Sequence, residues 1–223
     1  MKSLAVALAA SALAVGANAA TLTFSDAPAL ATTEIDQPLS LGLFDTSLGS
    51  LTGVALTLTG HMRSTAVLTN NSDSSLSGGF VSWDSTITFS GLGLGGIPSI
   101  GVHQLFLSTS QGSIGVGAHS VVSVGPLADD DSTLVLVSAL DFAAFERSGG
   151  GSFGIDCGSA TGFSGSGLTG LSTNLTNQAS CEASIVYTYN ARVTNPAPEP
   201  GSLALVGLAL AGVSAARRKA RVA

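Results

Sequence analysis

Val54-Ala55-Leu56-Thr57-Leu58-Thr59 places large apolar side chains at every second position, with small or polar side chains between them. Successive side chains of a β-strand point to opposite faces, so this alternation predicts a strand with one buried face and one exposed face. The same alternation recurs at residues 81–89, around Trp83, and at residues 185–189. These three stretches predict a domain built from strands.

Other apolar runs extend the pattern, at residues 105–107, 121–124 and 134–137, and Gly, Pro, Asn, Asp and Ser fill the gaps between them. No long stretch has a helical period, and the best helical candidate is the short segment 139–146. Several short strands separated by turn residues are typical of antiparallel sandwiches. We therefore expect an all-β, antiparallel β-sandwich of jelly-roll type over residues 20–194.

Charge is distributed unevenly along the 223 residues. Five of the eight basic residues lie at the two ends, whereas thirteen of the fourteen acidic residues lie between them. The central region therefore carries a formal charge of −10, and it contains no lysine. Such a surface repels nucleic acid and anionic lipid, so nucleic-acid binding is disfavoured.

The first 19 residues have the three parts of a secretory signal peptide. Lys2 provides a positive start, an apolar run follows, and Ala17-Asn18-Ala19 has small residues where a signal peptidase requires them. We expect cleavage after Ala19, so that Ala20 becomes the first residue of the mature chain. An ordinary N-terminal helix is the alternative.

Residues 195–223 combine a proline-rich break, an apolar segment and a basic end. Pro198-Glu199-Pro200 cannot continue a helix. An apolar helix at about 201–216 would be followed by a basic cluster that holds the C-terminus in the cytoplasm, formed by Arg217, Arg218, Lys219 and Arg221. The apolar segment is shorter than the ~20 residues of a full span, which suits a temporary anchor in the inner membrane.

These three elements, in this order at the chain end, resemble the PEP-CTERM sorting signal. The resemblance implies an exported protein that is recognised by an exosortase, a membrane-embedded cysteine transpeptidase or protease. Pro198, Glu199 and Pro200 would be the residues recognised. It also implies a Gram-negative-type host that makes exopolysaccharide. A plain C-terminal membrane anchor is the alternative.

The central region has a second resemblance. Residues 44–54, from Phe44 to Val54, look like the opening signature of the choice-of-anchor E domain, and residues 66–70 and 187–189 fit its general pattern. Domains of this kind occur beside varied surface-anchoring tails, and their molecular activity is not established. In this setting, Phe44 is expected to lie in the core and residues 48–51 to form a turn before the strand at Val54.

Two cysteines, Cys157 and Cys181, lie in the part of the chain that would be exported. An even number of cysteines in an oxidising compartment favours a disulfide. This bond would close a loop rich in Gly, Ser and Thr and contribute roughly 3 kcal/mol through the unfolded state. A zinc site would require about four closely spaced ligands, and the sequence does not supply them.

Candidate chemistry elsewhere is sparse. Asp129-Asp130-Asp131 lacks the spacing of a calcium loop, so we expect a solvated turn before the strand at Leu134, with calcium binding left open. His61, His103 and His119 are far apart in sequence and form no metal-binding pair. The glycine-rich stretches lack the lysine and the helix of a phosphate-binding loop. We expect neither an enzyme nor a cofactor.

The function expected from these features is that of an exported, noncatalytic surface or extracellular-matrix protein. An exosortase and a signal peptidase would act on it during export, and exopolysaccharide or biofilm would be its surroundings. The chain would be held briefly in the inner membrane and would then reach the cell envelope, the cell surface or the medium. The alternative is a carbohydrate- or calcium-dependent binding module on the cell surface.

Overall fold

The computed structural model describes residues 19–91, 100–192 and 207–210. The chain divides into two compact units, Met1–Ala191 and Arg192–Ala223. In the second unit, the described residues are Arg192 and a helical stretch at 207–210. Within the ranges that the structure describes, no helix has both the length and the apolar character needed to cross a membrane.

Most of the predicted targeting segments fall outside those ranges. The predicted signal peptide 1–19 is described only at Ala19, and the predicted apolar helix 201–216 only at its helical residues 207–210. The structure therefore tests neither the predicted signal peptide nor the predicted apolar helix.

The first unit consists almost entirely of strands. A short 3-10 helix, Ala139–Ala144, lies where a short helix was predicted, and the Oγ of Ser138 accepts a hydrogen bond from the backbone N–H of Leu140 at its start. The strands, in chain order, are β1 (Ala19–Asp26), β2 (Ala31–Thr32), β3 (Asp36–Gly42), β4 (Phe44–Asp45), β5 (Gly49–Asn70), β6 (Leu76–Gly91), β7 (Gly101–Val116), β8 (Val121–Leu136), β9 (Glu146–Arg147), β10 (Ser152–Ser166) and β11 (Leu171–Ala191).

Two antiparallel sheets contain all the long strands of the described ranges. Sheet A has the order β1-β11-β5-β8, with β2 beside β11, and sheet B has the order β3-β10-β6-β7. The chain crosses repeatedly from one sheet to the other, which is a strand order of the jelly-roll type. The predicted antiparallel β-sandwich is confirmed. A two-residue parallel pair, β4 with β9, lies apart from both sheets.

The apolar side chains whose alternation predicted the fold form the inner surface of sheet A. In β5, every even-numbered position from Val54 to Asn70 is buried, and the positions between them are partly or fully exposed. β11 pairs with β5 along nearly its whole length and buries Ile185 and Tyr187 in the same core. From sheet B, Trp83 and the neighbouring inward residues of β6 close the core, as the sequence predicted.

Two cross-sheet links join the inner faces. Cys157 of β10 and Cys181 of β11 form the predicted disulfide, with Cα atoms 6.5 Å apart and both residues fully buried. The Tyr187 hydroxyl donates a hydrogen bond of 2.8 Å to the backbone oxygen of Gly42 at the end of β3. Burial raises the pKa of the Tyr187 phenol, so it remains a neutral donor. The predicted core residue Phe44 packs against the Tyr187 ring.

One buried amide fastens the far end of the sandwich. Asn70, the last residue of β5, is 1% exposed. Its Nδ2 donates to the backbone oxygens of Ser74 and Gly117, at 2.8 and 3.0 Å, and its Oδ1 accepts from the N–H and hydroxyl of Ser72. The backbone N–H of Asn70 also donates to the oxygen of Ser120. Asn70 therefore joins the β5–β6 turn to the β7–β8 turn.

Replacing Asn70→Ala is expected to lower the free energy of unfolding by about 2 kcal/mol, because the backbone groups of two turns lose a buried side chain as their hydrogen-bond partner. Equilibrium unfolding in urea measures the change. Asn71→Ala is the matched control, since Asn71 is exposed in the adjacent turn and its removal is expected to change stability by under about 0.5 kcal/mol. Equal losses in the two variants would contradict the assigned role of Asn70.

Removing the disulfide with Cys157→Ala and Cys181→Ala together is expected to cost roughly 3 kcal/mol of unfolding free energy. The cause is the freedom that the unfolded chain regains between β10 and β11. Urea unfolding with and without a reducing agent provides the check: reduction should bring the wild-type protein close to the variant and leave the variant unchanged. Insensitivity of the wild-type protein to reduction would refute this.

Candidate functional site

The structure describes few of the residues predicted for sorting. Ala17 and all of the predicted sorting and basic residues lie outside the described ranges, namely Pro198, Glu199, Pro200, Arg217, Arg218, Lys219 and Arg221. Ala19 and Ala20 open strand β1, opposite Asn190 and Tyr189 of β11. The predicted cleavage position thus coincides with the first residue of β1, and cleavage there stays a prediction.

The predicted turn at Asp129-Asp130-Asp131 is wrong. All three residues lie inside strand β8, paired with β5 opposite Met62, His61 and Gly60. Neighbouring side chains of a strand point to opposite faces, so Asp130 lies on one face and Asp129 and Asp131 lie on the other, and the three carboxylates cannot converge on one ion. Polar residues at the edge of a sheet produce the same sequence pattern as a solvated turn, which explains the error.

Asp129 is used at the boundary between the two sheets. Its Oδ2 accepts a hydrogen bond of 2.8 Å from the backbone N–H of Ser108 in β7. β7 and β8 are the edge strands of sheets B and A, respectively. An edge N–H left free is a template for unwanted strand pairing, so this carboxylate protects the edge of sheet B.

Asp130 points the other way and belongs to a charged cluster on the outer face of sheet A. Its Oδ1 lies 2.8 Å from the Nδ1 of His61 and 2.9 Å from the Nη1 of Arg63, and its Oδ2 lies 3.3 Å from the Nη2 of Arg63. Glu182 of β11 approaches the other ring nitrogen of His61 at 3.7 Å. We name His61, Arg63, Asp130 and Glu182 the charged cluster.

The hydrogen bond from Arg63 is the main reason that the pKa of Asp130 lies below its usual range, and the contact with His61 adds to it. Asp130 is therefore ionised at neutral pH. His61 lies in the middle of β5, between carboxylates from both neighbouring strands. Each of its ring nitrogens has a carboxylate oxygen within 4 Å, from Asp130 and Glu182 respectively.

The other two histidines have separate partners. His103 lies near the start of β7, with its Nε2 2.7 Å from the backbone oxygen of Ile100. His119, in the β7–β8 turn, has its Nε2 2.7 Å from Asp73 Oδ1. Among the described residues, no group of three or more His, Cys, Asp or Glu side chains is arranged to hold a metal ion.

The outer face of sheet B carries a groove that sequence reasoning missed. Its volume is about 390 Å³, and its lining includes Glu34, Asp84, Thr86, Phe106, Thr161 and Gly162. These residues come from β6, β7, β10 and the segment before β3, so no local pattern in the sequence joins them. The one signal available in the sequence was the aromatic Phe106 within the apolar run 105–107.

A scan against family models matches residues 196–219 to the PEP-CTERM protein-sorting motif. The match covers the tail that was predicted from the sequence, and this motif supports an exported protein that is sorted by an exosortase. The motif implies export to the cell envelope or surface. A search of curated proteins found no match.

Solved structures give only distant similarities. A chain from Desmodium yellow mottle tymovirus is 11% identical, with a TM-score of 0.23, over 88% of this chain and 95% of that one. A chain from infectious bursal disease virus, Gx strain, is 13% identical, with a TM-score of 0.20, over 78% of this chain and 38% of that one. At such scores neither similarity bears on fold or function.

The charged cluster generates a prediction about pH. Because the pKa of Asp130 is lower in the folded protein than in the unfolded chain, its contribution is present at neutral pH and is lost as the pH falls through the folded pKa. Asp130→Asn is expected to reduce the unfolding free energy by about 0.5–1 kcal/mol at pH 7, since the pair is half exposed, and by close to zero in strong acid.

Urea unfolding at several pH values and at two salt concentrations measures this difference. Asp131→Asn, which removes an exposed carboxylate from the other side of the same strand, is the control, and it should show no comparable dependence on pH. A deficit in Asp130→Asn that persists unchanged in acid would contradict the ion pairing.

Proposed function

We propose that this chain is an exported, noncatalytic surface or extracellular-matrix protein that an exosortase sorts through its C-terminal tail. The observation that carries the proposal is the PEP-CTERM protein-sorting motif at residues 196–219. Pro198, Glu199 and Pro200 are its recognition residues, and the central sandwich is the delivered cargo, a domain of the choice-of-anchor E type. Exopolysaccharide or biofilm is its proposed destination.

The proposed route follows from the chemistry of the two ends. A signal peptidase cuts after Ala19, and the apolar segment 201–216 then lodges in the inner membrane, with the basic cluster on the cytoplasmic side. Three prolines between residues 196 and 200 disfavour a helix between the folded domain and the apolar segment, and a non-helical segment there would favour access by a protease. Cleavage there releases the domain to the envelope, the surface or the medium.

The disulfide supports an extracytoplasmic destination. Cys157 and Cys181 are paired and fully buried, and such bonds persist in oxidising compartments and are rare in the cytosol. The acidic central region supports a partner other than nucleic acid, because it repels phosphate backbones.

The contacts of the histidines support a noncatalytic role. His61 lies between Asp130 and Glu182, and His119 contacts Asp73, so both imidazoles contact surface carboxylates. A hydrolytic triad needs its base hydrogen-bonded to a nucleophilic hydroxyl or thiol, whereas the ring hydrogen bonds of His61 and His119 are with Asp130 and Asp73. The two cysteines are unavailable as nucleophiles because they are bonded to each other.

Replacing Glu199→Ala in the host is expected to leave the C-terminal tail attached, because the exosortase then loses the central residue of its recognition motif. Mass spectrometry of the exported protein measures this, in strains with and without the exosortase. The wild-type protein should lose its tail only where the enzyme is present. Glu182→Ala, which removes a carboxylate from the folded domain, is the matched control and should be processed normally.

An intact tail on the wild-type protein in both strains would reject exosortase processing. Equal processing of the wild-type protein and Glu199→Ala would reject the proposed recognition by this motif.

A further inference from the structure

The groove on the outer face of sheet B holds an exposed aromatic ring beside polar groups. Phe106 of β7 is 70% exposed and lies opposite Thr86 of β6. Two residues before Thr86 on β6, the exposed Asp84 accepts a hydrogen bond of 2.8 Å from the Ser108 hydroxyl, and Glu34 lies at the other side of the groove. An apolar ring surrounded by carboxylates and hydroxyls suits a ligand that has both C–H faces and hydroxyl groups.

Gly162 leaves the bottom of the groove as bare backbone, although neither its backbone conformation nor the space around it requires a glycine. Gly162 of β10 has no left-handed φ, and a Cβ there would meet Asp84 O at 3.9 Å, an ordinary contact. Glycine weakens a strand, so a side chain would be expected unless something approaches the backbone closely. Ala160, the next outward residue of β10, keeps the floor low in the same way.

A second groove of about 310 Å³ shares Glu34, Thr161 and Gly162 with the first. It leads towards the half-exposed ring of Phe163 and to Asn177. The Nδ2 of Asn177 is buried and has no hydrogen-bond partner among the described residues. Together, the two grooves form a track with an aromatic ring near each end, which is longer than one small ligand needs.

A polypeptide strand could pair with only one margin of this track. β6 is hydrogen-bonded to neighbours on both sides, so its backbone cannot accept an added strand, and among the described strands β10 has no partner on its other side beyond Gly158. A strand added to β10 there would not reach Phe106, because Phe106 projects from β7 on the far side of β6. An acidic polymer would meet Glu34 and Asp84 on a domain that is already strongly negative. The hydroxyls of a neutral sugar can donate to these carboxylates, and its C–H face can lie on Phe106.

We propose that this track binds a neutral polysaccharide chain, with Phe106 as the stacking platform and Gly162 as the close-approach floor. The assignment deepens the proposed role as a matrix protein, but its test does not depend on tail processing. The carboxylates of Asp84 and Glu34 accept hydrogen bonds from sugar hydroxyls.

Native affinity electrophoresis of the purified exported protein tests the proposal, in gels that contain dextran, a mixed-linkage β-glucan or galactomannan, with EDTA throughout. Alginate provides the acidic comparison. Retardation is expected in at least one neutral gel and not in alginate. Phe106→Ala should weaken that binding about tenfold or more, because stacking is lost. Gly162→Thr should abolish it, because the added side chain fills the floor.

Gly162→Thr keeps every ring and every carboxylate and introduces a residue that favours strands, so its fold should survive, as thermal unfolding can verify. Phe80→Ala is the matched control, since Phe80 is an exposed ring of β6 outside both groove linings. It should bind like the wild-type protein. Absence of retardation in all three neutral gels, stronger retardation in alginate, or unchanged binding by Phe106→Ala would each overturn the proposal, whatever happens to the tail.

Discussion

The two-residue period of β5, held in register against β11, is the constraint on which the rest of the structure depends. A shift of one residue would move Leu56, Leu58 and their inward neighbours to the solvent face and bring Thr57 and His61 into the core. The hydrophobic cost of that exchange selects a single register over a pairing of about twenty residues. Both the core and the outer charged cluster are consequences of this choice.

A disulfide and several hydrogen bonds then fix the alignment of the two sheets, which burial alone does not determine. Hydrophobic contacts are non-directional, so they press the two sheets together without specifying how the ends align. The Cys157–Cys181 bond and the Tyr187–Gly42 hydrogen bond set the position of sheet B over sheet A at one end. Asn70 does the same at the other end through its contacts with two turns. With only three basic residues in the central region, ion pairs have a small part in this stability.

The sequence predicted those parts of the fold that depend on local pattern. The apolar residues that alternate at 54–59 and around Trp83 are buried on the inner faces of their strands, and Cys157 and Cys181 form the predicted disulfide. Pairing between distant strands could not be predicted in this way. Asp130 looked like part of a turn because its partner, His61, lies 69 residues away. The groove was hidden for the same reason, since Phe106 and Gly162 line one groove only when β6 pairs with both β7 and β10.

The outer faces of the two sheets differ in a way that burial cannot explain. On sheet A, His61 and Arg63 find carboxylates from both adjacent strands, so the face satisfies its own charges. On sheet B, Ala160 and Gly162 of β10 leave little side chain on the outer face, and the Phe106 ring of β7 is 70% exposed. Glycine weakens a strand, so the strand itself does not require Gly162. The proposed binding track on sheet B rests on this exposed ring and on these two small residues.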